Sequence, residues 1–186
     1  YATSSTGLKY LSNSGLLNLC TESSSACQAR AITREEVAAI VVTASQLPLN
    51  SPNAYSDDDL SVYQKAINAI PYFGMNKCIS GSFQFQPSET VSREQFVCIL
   101  INGINAGLTE NIEGSTDKYS DIGASNFINE IKILGSKNVI PACSSINEKF
   151  CPSRKITIGE VSFIIEKMIN NNLVPSSVFT PNIFQN

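Results

Sequence analysis

Histidine and tryptophan are both absent from the 186 residues. Without histidine, no Ser–His or Cys–His nucleophile can be assembled. A zinc site is the weaker reading of the cysteines, since there is no histidine and no Cys-x-x-Cys. No glycine-rich phosphate loop is present, so neither catalysis nor a cofactor is expected. Charge is sparse: the 13 basic residues are scattered among 16 acidic ones, the net charge is −3, and no basic stripe forms. Nucleic acid is therefore not an expected partner. The longest apolar runs, Val37–Val42 and Phe96–Ile101, are too short to span a bilayer, and membrane insertion is not expected. No Asn-x-Ser/Thr sequon exists, only the rarer Asn-x-Cys form at Asn18 and Asn76. The chain opens on Tyr1 without a signal-peptide pattern, so a mature or trimmed product is expected.

What is present is a segment written three times. Each copy has a Gly or Asn that stops a helix, then a loop, then a helix opened by Ser or Thr with Glu or Gln three residues on. The copies run Gly15 to Glu36, Gly74 to Gln95 and Asn138 to Glu160, with 18, 18 and 19 residues from the stop to Thr33, Ser92 and Thr157. The Ser/Thr-x-x-Glu/Gln pattern is a capping box, and Gly or Asn supplies the left-handed residue that ends a helix. Apolar residues recur at helical spacing on both sides of each loop. Phe127, Ile128, Ile131 and Leu134 form one stripe, and Val161, Ile164, Ile165 and Met168 another. Tyr55-Ser56-Asp57 and Tyr119-Ser120-Asp121 are expected to open first helices. In the first copy no such turn is recognisable.

The pattern predicts an all-α chain of three helix–loop–helix repeats packed as a pseudo-threefold bundle. The repeats are residues 1–47, 54–107 and 118–172, followed by an extended tail, 173–186. Units this small are insecure alone and gain stability by sharing a core. The 42% hydrophobic content is ample for one.

The six cysteines are placed as staples. Cys20 and Cys27 occupy the same loop positions in copy one as Cys143 and Cys151 in copy three, so Cys20–Cys27 and Cys143–Cys151 are the expected pairs. In copy two Cys78 aligns with Cys20, but Gln86 stands where its partner would be. A new cysteine, Cys98, lies on the second helix, making Cys78–Cys98 the third expected pair. The alternative is two buried thiols. Such bridges imply an oxidising, extracellular compartment.

The order Tyr-Ser-Asp, helix, Gly, a Gly-x-Phe loop (Gly81-Ser82-Phe83), then Thr33-Arg34-Glu35-Glu36 or Ser92-Arg93-Glu94-Gln95 resembles the S-layer homology family over residues 8 to 170. The resemblance implies a secreted module that attaches non-covalently to an acidic cell-wall polysaccharide, often one carrying pyruvate ketals. It places Arg34 and Arg93 against the acidic sugar, with Gly81 and Asp57 as further candidate glycan-binding residues. A helix N-terminus favours an anion, and a guanidinium adds a two-pronged donor. Copy three has Ile158-Gly159 where Arg-Glu is expected, so its groove is not expected to hold an anion. The alternative is a structural subunit that self-associates into an extracellular layer, sheath or filament. In that reading Val178, Phe179, Ile183 and Phe184 of the tail dock on a neighbour; packing on the tail's own domain is the competing expectation. Glu35, Glu36, Glu94 and Glu160 are read as capping and helix-start carboxylates rather than a glycosidase pair, and Asp57–Asp59 as helix-start acids.

Overall fold

Residues 3–17, 25–79, 84–108, 110–144 and 148–180 are described by the computed structural model. Among them lie seven α-helices and no strand: α1 (Ser5–Asn13), α2 (Ser25–Ala29), α3 (Arg34–Ala44), α4 (Gln64–Tyr72), α5 (Arg93–Gly107), α6 (Ile128–Ser136) and α7 (Ile158–Asn170). The all-α class holds for these residues, and no helix is long and apolar enough to cross a membrane.

Local chemistry sets the helix ends. All three capping boxes are made: Thr33, Ser92 and Thr157 each accept from the N3 amide, and Glu36, Gln95 and Glu160 each accept from the cap amide. Gly15, Gly74 and Asn138 stop their helices with φ of 71°, 74° and 54°. Pro71 sits in the last turn of α4, where it withdraws one amide from the helix ladder just before the helix stops. Ser4 Oγ accepts from Gly7 N at 2.8 Å and opens α1, whereas α4 and α6 begin without a side-chain cap.

The helices that pack are not the two of one copy. α3 packs on α4, α5 on α6 and α7 on α1, so each second helix meets the first helix of the next copy and the last pair closes on the first. Where the three loops converge, a ring of backbone hydrogen bonds joins Ile32 N to Ile156 O, Ile156 N to Val91 O and Val91 N to Ile32 O. All three side chains are buried. Backbone groups withdrawn from water at the centre of the core are thereby paired. At the far end α5 runs against the end of α3. A Cβ on Gly107 would lie 1.8 Å from Ser45 O, so only glycine permits this approach.

Two expected disulfides are formed. Cys78–Cys98 ties a 3₁₀ turn, Met75–Cys78, to α5, and Cys143–Cys151 closes the third loop. The Cys20–Cys27 pairing lies outside the described residues, as does Gly81.

Two expectations are corrected. The Tyr-Ser-Asp turns do not open helices: α4 and α6 begin at Gln64 and Ile128, seven residues past Asp57 and Asp121. The tail is not simply extended. Ser176–Val178 form a 3₁₀ turn, and Phe179 is buried against Tyr10 of its own chain, ring centroids 6.0 Å apart. Val178 is partly buried on the same core. Ile183 and Phe184 lie outside the described residues.

Candidate functional site

The N-terminus of a helix attracts an anion only while its first amides are unpaired. Here they are paired. Arg34 N and Glu35 N donate to Glu89 O and Pro87 O at 2.8 and 3.1 Å, and Arg93 N and Glu94 N donate to Arg154 O and Pro152 O at 2.9 and 3.1 Å. Ile158 N donates to Arg30 O at 3.0 Å. Each second helix is thus plugged by the loop of the following copy, and the caps occupy the N3 amides. The helix starts are joints between copies rather than open anion sites.

The two motif arginines belong to these joints. Arg93 is 0% exposed. Its Nε donates to Phe150 O at 2.7 Å, Nη1 to Glu160 Oε1 at 2.9 Å and Nη2 to Pro141 O at 2.6 Å. The guanidinium carbon lies 4.8 Å from the Phe150 ring centroid. Burial pushes this guanidinium below its ordinary value, and the Glu160 carboxylate opposes the shift. In this arrangement a surface glycan does not reach Arg93. Arg34 is 9% exposed, and its Nη1 donates to Phe85 O and Gln86 Oε1 at 2.9 and 3.0 Å.

Asp57 works alongside Arg34 on the same loop. Its two oxygens accept from Phe85 N and Gln86 N, both at 2.8 Å. Asp121 accepts from Phe150 N and Cys151 N at 2.7 and 2.8 Å. Each aspartate clamps the loop that its neighbouring arginine also holds, with Tyr55–Phe85 and Tyr119–Phe150 ring pairs beside them. The Tyr119 hydroxyl donates to Ile140 O at 2.7 Å, and burial pushes it up to about 12.

Sequence reasoning passed over Arg30 and Arg154, three residues before the caps Thr33 and Thr157. Arg30 binds Glu36 through both terminal nitrogens, at 3.1 and 2.5 Å. Arg154 Nη2 donates to Glu160 Oε1. The signal was a repeated pair: Arg30 with Glu36 and Arg154 with Glu160, replaced by Glu89 with Gln95 in copy two, where a second glutamate would repel the first.

Glu160 thus serves two guanidinium groups, Arg93 and Arg154. Arg154 reaches the surface, its side chain 27% exposed. There it lines a groove of about 450 Å³ between α2 and the start of α7, with Thr3, Ser25, Gln28, Ala29 and Thr157. Hydroxyls, an amide and a guanidinium around an open groove suit a hydroxylated anion. A larger hollow, about 650 Å³, lies at the opposite helix ends, but there Lys137 and Glu110 offset each other. The chain matches no family model and no curated protein.

Proposed function

We propose that this is a secreted module of three S-layer-homology-like repeats, closed as a pseudo-threefold bundle, that attaches non-covalently to an acidic cell-surface polysaccharide. The repeat reading is supported by the backbone ring at Ile32, Val91 and Ile156 and by the cyclic helix pairing. The disulfides support an oxidising compartment. The binding reading rests on one observation: the partly exposed guanidinium of Arg154 lines a groove together with hydroxyls and an amide. A sugar carboxylate or pyruvate ketal would meet that guanidinium through charge-assisted hydrogen bonds. Arg154 thereby takes the ligand role that the motif placed on Arg34 and Arg93. Assembly through the tail is the weaker account, because Phe179 is already seated on Tyr10 of its own chain.

The test is calorimetric titration of the oxidised chain with a pyruvylated wall polysaccharide and with the same polymer after acid removal of the ketals. Arg154→Ala should weaken binding to the acidic polymer about 10-fold or more, equivalent to ~1.4 kcal/mol, while Glu160 keeps Arg93 as its partner. Gln28→Ala should weaken it less. Equal affinity for both polymers, or full affinity in Arg154→Ala, would overturn the proposal.

A further inference from the structure

The segment from Asp57 to Tyr63 has an exact counterpart from Asp121 to Phe127. The register is fixed on both sides. Asp57 and Asp121 clamp their loops in the same way. Ser61 Oγ donates to Glu35 Oε2 and Ser125 Oγ to Glu94 Oε2, each at 2.6 Å. Between these matched contacts the polarity is reversed. Ile122 is buried in copy three, with Ala124 and Asn126 exposed. In copy two the buried position holds Asp58, 0% exposed, while Leu60 and Val62 are 100% and 62% exposed. Neither carboxylate oxygen of Asp58 completes a hydrogen bond of good geometry; the Gln64 amide and its own backbone amide are the donors beside it.

A buried carboxylate whose hydrogen bonds are incomplete is tolerated far better neutral than charged. We propose that residues 57–62 are a two-state segment, held inward by the neutral carboxyl of Asp58 and turned outward when that group ionises. Among the described residues, the charges acting on the Asp58 carboxyl are those of Asp59 and Asp57; Arg34 acts on the neighbouring Tyr55 phenol and is engaged by Phe85 O and Gln86 Oε1. Asp59 and Asp57 are acidic, the Tyr55 phenol is neutral, and α4 presents Gln64, whose amide donates to Asp59 Oδ1 at 3.0 Å. Loss of water contact pushes the Asp58 carboxyl above its ordinary value, and Asp59 and Asp57 add to the rise, while the Gln64 amide opposes it. For an acid raised in the folded state, the stabilisation is complete below its unfolded value and is lost as pH rises through the folded one. The inward state is therefore the acid state. Leu60, two residues on and fully exposed, is the apolar side chain proposed to fill the vacated site. Turning the segment outward also loosens the Asp57 clamp on Phe85 and Gln86, the two residues that hold the Arg34 guanidinium. Ionisation of Asp58 thus frees Arg34.

The test is amide hydrogen exchange by mass spectrometry on the full oxidised chain at pH 4 and pH 7, with rates normalised to intrinsic exchange. Wild type should lose protection over 55–63 and 84–89 between pH 4 and pH 7. The matched segment 119–127, with Ile122 in place, serves as internal reference and should not change. Asp58→Asn and Asp58→Ile should hold the acid-state protection at both pH values. Equal protection at the two pH values overturns the proposal. So does a pH effect that persists in Asp58→Asn, or one that appears equally in 119–127.

Discussion

Replacing Arg93 separates a scaffold arginine from a ligand arginine. Arg93→Met keeps most of the apolar bulk over Phe150 but deletes three donors. Glu160 retains Arg154, so its charge is not stranded; Phe150 O and Pro141 O each lose their guanidinium donor. Removing one partner of a buried ion pair costs about 3–5 kcal/mol. The surviving Arg154 contact argues for the lower half of that range, about 3–4 kcal/mol. With unfolding entropy of about 2.1 cal/mol/K per residue, 186 residues give roughly 0.39 kcal/mol/K. The melting temperature should then fall by about 8–10 °C. Arg34→Met, which loses two contacts from one nitrogen at the edge of its loop, should cost about 1–2 kcal/mol. Differential scanning calorimetry on both variants, disulfides intact, makes the comparison. An Arg93→Met melting point within about 2 °C of wild type would refute the reasoning and return Arg93 to the list of groups free to meet a ligand.

Two further outcomes follow from the joints between copies. Gly107→Ala places a Cβ 1.8 Å from Ser45 O, where backbone rather than a flexible side chain must yield; a loss of at least ~2 kcal/mol is expected by urea titration, against a near-neutral Gly123→Ala, where nothing lies within 4 Å. Converting Cys143 and Cys151 to serine reopens an eight-residue separation and should cost about 2.5 kcal/mol in the loop-entropy account, read from the same titration.

The sequence on its own determined the local events. Ser and Thr followed by Glu or Gln started helices at Arg34, Arg93 and Ile158, and Gly15, Gly74 and Asn138 ended them, because capping and left-handed φ depend on residues only a few positions apart. The Cys143–Cys151 pair was legible because the repeat register matched it to Cys20 and Cys27, and Cys78–Cys98 because a new cysteine stood on the helix that follows the Cys78 loop. The tertiary structure alone decided what the polar residues face. Arg93 and Arg34 have the same place in the motif, yet one is sealed behind Phe150 and Pro141 while the other lies at a loop edge, a distinction made by residues 48 to 67 positions away. Asp57 and Asp121 were expected to begin helices and instead clamp loops 28 to 30 residues downstream. Asp58 was one acid in a row of three until the packing put it in the place of an isoleucine. Local sequence chooses a side chain's conformation, but its solvent and its partners are chosen by whichever chain segment closes over it.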